Sequence, residues 1–235
     1  MVPILTEYLS QSSAAIHAEG GTIDKFIGDA VMAFWGAPLA DDDHAVNACR
    51  AALRLRDLSA ALRASAPAAG QGLSIRIGLN TGPMLVGNIG SEERLSYTVI
   101  GDAVNLASRL EGLNKLYGTA IIIGEATRVA AGARIVAREL DCVAVYGRSG
   151  SSKIYELVSL AGAGDAVPAW IAAYERGLGL YRERRWGEAT AALQKVSGLK
   201  GGEDSPAALL VERASGYMNR PPSEDWNGIE IIGMK

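Results

Sequence analysis

The sequence predicts an α+β fold: a largely antiparallel sheet with flanking helices, followed by an α-helical hairpin extension. Three observations lead there. Short apolar or alternating segments recur between Thr22 and Val158, with Gly, Asp, Asn and Pro between them. Longer segments of helical spacing interrupt these strands. Beyond Leu160 the strand-like segments stop and helical periodicity takes over.

In chain order, Ile4 to Ala18 carries apolar residues at amphipathic spacing and meets Gly20-Gly21, a helix stop. Thr22 to Ile27 and Ala30 to Trp35 read as strands, and Gly28-Asp29 between them reads as a tight hairpin turn. The acidic run Asp41 to Asp43 precedes a helix from about His44 to Ala64, where negative charge suits a helix N-terminus. Further strands are expected at Leu73–Leu79, Met84–Ile89, Leu95–Ile100, Ala120–Ile123, Val143–Val145 and Ile154–Val158. Helices are expected from Gly101-Asp102 to Leu116 and over Glu125–Ala131. The pentapeptide Ile-Gly-Asp-Ala-Val stands at Ile27–Val31 and again at Ile100–Val104. Strand residues follow the first copy and helical spacing follows the second, so tertiary burial is expected to give them different structures.

Ala161 to Val167 reads as a linker. Two helices, broken near Gly187, are expected over Pro168–Lys195, with Tyr174, Gly177, Leu178, Tyr181, Ala189, Ala192 and Leu193 placed as in a tetratricopeptide helix pair. A third follows at Pro206–Met218, then a Pro221-Pro222 break and a short apolar tail with Trp226. One such helix pair cannot bury its own apolar face, so it must pack on the main domain or a partner. The division is therefore residues 1–160 and 161–235.

The 235 residues, 49% of them hydrophobic, suffice for one ordinary domain and an appendage. A net charge of −3 gives no basic stripe for a nucleic-acid backbone. No run approaches the ~20 apolar residues that cross a bilayer, and the N-terminus shows no signal-peptide pattern, so the expected location is cytoplasmic. Cys49 and Cys142 form neither a disulfide framework nor a zinc pair and read as buried thiols. The glycine-rich stretches match neither a P-loop nor a dinucleotide fingerprint.

Three residues stand out for chemistry. Asp29 sits at the hairpin tip, where a carboxylate can face a divalent ion, although Gly-Asp alone is ordinary turn chemistry. Asn105 and Arg109 lie four apart on one helix face, mostly away from Leu106, Leu110 and Leu113. They suit a ribose and a phosphoryl group, but the same pattern also describes a solvated polar face.

Together, GTIDKFIGDAVMAFWG at 21–36, RIGLNTG at 76–82 and YTVIGDAVNLASR at 97–109 resemble, in order and spacing, the catalytic domain of bacterial-type class III adenylate/guanylate cyclases. The likeness runs from about Ile4 to Leu157. It implies a cyclase homology domain that forms 3′,5′-cyclic AMP and pyrophosphate from ATP. By that resemblance, Asp29 matches the second of two metal-binding aspartates. Lys25 and Thr98 match the base-reading pair; guanylate cyclases place Glu and Cys there, so this pair favours ATP. Asn105 matches the ribose-orienting residue and Arg109 the one that stabilises the transition state. The lysine that grips the terminal phosphates falls at Tyr146, leaving Arg148 or Lys153 as substitutes. The family's other metal aspartate belongs to an F-x-D-I strand upstream of the opening helix, so the first strand is expected to be missing from this chain. The resemblance further implies two Mg2+ or Mn2+ ions and a head-to-tail homodimer, Asp29 of one protomer meeting Lys25, Thr98, Asn105 and Arg109 of its partner. The alternative is a degenerate cyclase-like module that binds nucleotide or a partner without turnover.

Overall fold

The computed structural model describes residues 2–65, 74–91, 94–145, 150–162, 164 and 166–232. Helix α1 (Val2–Ala18) ends where Gly20 adopts φ 71°, which an L side chain resists, and Gly21 donates back to the Ile16 carbonyl at 3.0 Å. Strands β1 (Thr22–Ile27) and β2 (Ala30–Phe34) form the expected hairpin, and Gly28 supplies the φ of 64° at its tip. Helix α2 (His44–Ser65) follows. The expected strand at 73–79 is only Ile77–Leu79, β3, and residue 73 lies outside the described residues. β4 (Leu85–Ser91) and β5 (Arg94–Ile100) make a second hairpin, and α3 (Asp102–Tyr117) opens on Gly101. The repeated pentapeptide thus turns a hairpin in its first copy and launches a helix in its second.

Next come β6 (Ile121–Gly124), α4 (Glu125–Ala131), a 3-10 turn at Gly132–Arg134, β7 (Ile135–Val145) and β8 (Ser151–Leu160). β7 extends well beyond the Val143–Val145 expected from sequence. Helices α5 (Ala169–Arg182), α6 (Trp186–Lys200) and α7 (Ser205–Asn219) lead to strand β9 (Glu230–Ile232), in the segment expected as a short apolar tail. The α5–α6 break, expected near Gly187, falls at residues 183–185, and Gly187 itself lies inside α6. There Arg184 adopts φ 61°, a conformation that costs a non-glycine residue about 1 kcal/mol. Its guanidinium donates to the carbonyls of Ser223, Glu224 and Trp226 at 2.6, 2.8 and 3.1 Å, bonds that offset the strain.

Among the described residues the strands form three sheets. One has five strands in the order β3-β6-β8-β7-β9; the other two are the β1-β2 and β4-β5 hairpins. Pairing is antiparallel except for β3-β6 and β7-β9, so the sheets are largely antiparallel as expected. β6 shows how the layers are made. Its alternating side chains divide, Ile121 and Ile123 packing with Ala45, Val46, Cys49 and Leu53 of α2, Ile122 with Leu106, Leu110 and Leu113 of α3. The α3 core continues without a break into the helical extension through Tyr174, Leu178, Tyr181, Leu193 and Leu210. Gly177 brings α5 and α6 together: an added Cβ would lie 2.6 Å from Leu193 Cγ. Cys49 is buried as expected, whereas Cys142 is only partly so; both are free thiols. No helix among the described residues is long and apolar enough to cross a membrane.

Candidate active site

Lys25 and Thr98 are 73 positions apart, yet the Lys25 ammonium donates to Thr98 Oγ1 at 3.1 Å. The hairpins cause this meeting: β1 carries Lys25, and β5 carries Thr98 alongside it. A third residue completes the cluster. Asp24 Oδ2 accepts the Thr98 hydroxyl proton at 2.6 Å and faces the Val99 amide at 3.4 Å, and Asp24 Oδ1 lies 3.2 Å from Lys25 Nζ. The Asp24 side chain is 1% exposed and that of Lys25 46%, so the ammonium looks outward from a buried anion. Sequence reasoning missed Asp24. Strand alternation puts neighbours on opposite faces, and only the register shift between Ile23 and Lys25 lets Asp24 join Lys25.

Asn105 and Arg109 occupy α3 as expected. Asn105 is exposed and Arg109 partly exposed, while Ala103, Leu106, Leu110 and Leu113 anchor the buried side. The helix is held to β3 by backbone proximity and two amide side chains. Asn80 Nδ2 donates to the Ala103 carbonyl at 3.1 Å, and Asn114 Nδ2 to the Ile77 carbonyl at 3.0 Å. Gly78 lies so close to α3 that an added methyl would overlap the backbone at Ala107 and Glu111. The Arg109 guanidinium and the Asn105 amide make no side-chain hydrogen bond or ion pair with another described residue.

Asp29 is exposed at the β1-β2 turn. Burial raises the pKa of the nearby Tyr8 phenol, Ser12 opposes that shift, and the Asp29 charge adds to it. Its oxygen chemistry suits a hard cation such as magnesium. Among the described residues, however, no group of three Asp, Glu, His or Cys side chains converges as a metal site. Tyr146 and Arg148 lie outside the described residues. Lys153, the other substitute, pairs with Glu139 at 3.3 Å, and the same Glu139 accepts from Arg182 at 2.6 Å.

Residues 1–159 match the family described as the adenylate and guanylate cyclase catalytic domain. The sequence is 40% identical over 174 residues to Adenylate cyclase 1 of Rhizobium meliloti, covering 74% of this chain and 26% of that one. It is 35% identical over 231 residues to the terminal-differentiation-specific adenylate cyclase of Dictyostelium discoideum, covering 91% and 10%. The chain thus spans well under a third of the length of these two relatives. Among solved structures, the adenylyl cyclase CyaB from P. aeruginosa matches with a TM-score of 0.60 and 38% identity, over 67% of this chain and 82% of that one. The guanylyl cyclase Cya2 matches at 0.59 and 32%, over 71% and 84%. The chain belongs to the adenylate and guanylate cyclase catalytic domain family. Relatives named for each of the two nucleotides occur among its matches.

Proposed function

We propose that the protein is an adenylate cyclase, converting ATP to 3′,5′-cyclic AMP and pyrophosphate in cyclic-nucleotide signalling. The observation that carries the choice of ATP is the Lys25–Thr98 bond of 3.1 Å, which joins a donor to a hydroxyl. An adenine edge presents an acceptor ring nitrogen beside a donor amino group, and this pair complements it.

In the proposed reaction the ribose 3′-oxygen attacks the α-phosphorus in line, and pyrophosphate leaves. Asn105 orients the ribose. Arg109, with no competing partner among the described residues, neutralises charge that grows on the phosphoryl oxygens. Arg148 is proposed to hold the terminal phosphates. Magnesium or manganese, with Asp29 as one ligand, would neutralise the triphosphate when bound. A head-to-tail homodimer is proposed to bring Asp29 of one protomer against Lys25, Thr98, Asn105 and Arg109 of the other. Exposed apolar side chains on the two hairpins, Phe26, Ile27, Leu85, Leu95 and Ile100, support a protein partner there. Residues 1–160 would carry the catalytic surface, and residues 161–235 a tetratricopeptide-like brace.

The test incubates the purified protein with manganese and either ATP or GTP and separates the products by chromatography. Cyclic AMP in excess of cyclic GMP, lost in Asp29→Ala and Arg109→Ala, is the expected result. A folded protein that binds ATP without cyclising it would instead establish the alternative, a nucleotide-binding module without turnover.

A further inference from the structure

We infer that Asp24 is a specificity-determining positioning residue, which holds the Thr98 hydroxyl as an acceptor toward the nucleotide base and so selects adenine over guanine. The inference rests on the reading of Lys25 and Thr98 as the base-contacting pair. It concerns a residue that neither touches the base nor stands out in the sequence.

The argument is one of proton accounting. A hydroxyl has one proton, a carboxylate only accepts, and an ammonium only donates. Thr98 Oγ1 lies 2.6 Å from Asp24 Oδ2, so its proton points inward to the carboxylate. Lys25 Nζ donates to the same oxygen at 3.1 Å. Both neighbours therefore fix the hydroxyl in one orientation, and its remaining lone pair is the only function it can offer a base. Thr98 is only 7% exposed, so what reaches the surface is a narrow acceptor at Thr98 next to the half-exposed donor at Lys25. Adenine carries a donor 6-amino group beside the acceptor N1 and fits both. Guanine carries an acceptor O6 beside a donor N1–H and opposes both. A freely turning hydroxyl would donate to O6 and discriminate weakly.

Two further features single out Asp24. The register shift places it without a strand partner opposite, since Ile23 pairs with Ala33 and Lys25 with Met32. A bulge at that point aims consecutive side chains at one neighbour. Asp24 Oδ1 is buried and receives no hydrogen bond, facing only the Lys25 ammonium at 3.2 Å. That ion pair is what keeps the ammonium beside the hydroxyl.

The test measures binding of ATP, GTP and purine riboside triphosphate, which lacks the 6-amino group, by competition with a fluorescent ATP analogue on the whole chain. In Asp24→Asn the amide oxygen turns to the ammonium and the amide nitrogen donates to Thr98, freeing the hydroxyl proton. The parent is expected to prefer ATP over GTP and to lose about tenfold in affinity when the 6-amino group is removed. Asp24→Asn is expected to lower the ATP-to-GTP ratio about tenfold, and to change nothing further in a Thr98→Val background. An unchanged ratio in a folded Asp24→Asn variant, or an equal change without the Thr98 hydroxyl, overturns the assignment of Asp24. If that variant does not fold, the parent decides: equal affinity for ATP and the 6-unsubstituted purine overturns it. A parent that binds no nucleotide, or prefers GTP, sinks the base-reading pair itself, an outcome distinct from an ATP-selective parent with an ATP-selective variant.

Discussion

Arg138 of β7 and Asp204 at the N-cap of α7 meet at 2.8 Å with both side chains fully buried, so an ion pair out of reach of water joins the sheet to the C-terminal helices. Glu156 of β8 lies 2.7 Å from the same guanidinium, which also sits 4.8 Å over the Trp170 ring and 4.4 Å over Tyr174. Asp204 in turn accepts from the Ala207 amide at 3.0 Å and from Lys200 at 2.7 Å. Arg138→Met takes the guanidinium from the part-buried Glu156 and leaves the buried Asp204 with Lys200 as its cation. The expected loss is about 3–5 kcal/mol, read by urea unfolding. Replacing Asp204 with Asn in the same chain should recover part of it.

Gly78 has a role that only a close approach explains. A methyl there overlaps the backbone of α3, and neither segment can yield by turning a side chain. Gly78→Ala should destabilise the protein by about 1–3 kcal/mol and move α3 away from β3. Thermal unfolding reads the first effect. Loss of nucleotide affinity beyond what unfolding accounts for reads the second, because α3 carries Asn105 and Arg109.

Alkaline pH should weaken the fold through Cys49. Burial pushes its thiol from an ordinary 9.0 up to about 12. A raised folded value means the unfolded chain ionises first. The contribution is therefore complete below pH 9 and is lost as pH climbs toward 12, at up to about 1.4 kcal/mol per pH unit. Cys49→Ala should flatten that part of the stability profile, at the expense of the packing its sulfur makes under α2.

Arg109→Ala should lower kcat by about a hundredfold to a thousandfold with a much smaller change in KM, the pattern of an interaction made in the transition state. Arg109→Lys should restore only part of the loss. An ammonium keeps the charge but lacks the planar fork of donors. Initial rates of cyclic AMP release over a range of ATP concentrations separate the two parameters.

Much of the architecture was legible because local periodicity and burial agree. The hairpin at Gly28-Asp29, the helix over Glu125–Ala131 and the two fates of Ile-Gly-Asp-Ala-Val all follow from residues close in sequence. What escaped depends on distant partners. β9 is three residues long and exists because the β7 edge receives it. The α5–α6 break falls at Arg184, a residue of no turn preference, because three carbonyls from the tail hold its side chain. Lys25, Thr98, Asn105 and Arg109 could be singled out from motif order, whereas Asp24 could not: its place depends on a register shift that strand alternation does not foretell.

The parallel pairing of β9 with β7 joins Val143 to Glu230 and Val145 to Ile232. During synthesis β7 emerges first, and its free edge must wait roughly 4–17 s for β9 at 5–20 residues per second. Throughout that interval the growing polypeptide exposes unpaired amides and carbonyls beside an apolar sheet, the arrangement that recruits strands from neighbouring chains. β9 therefore closes a window of vulnerability on the ribosome, and the yield of soluble protein should depend on how quickly residues 230–232 follow.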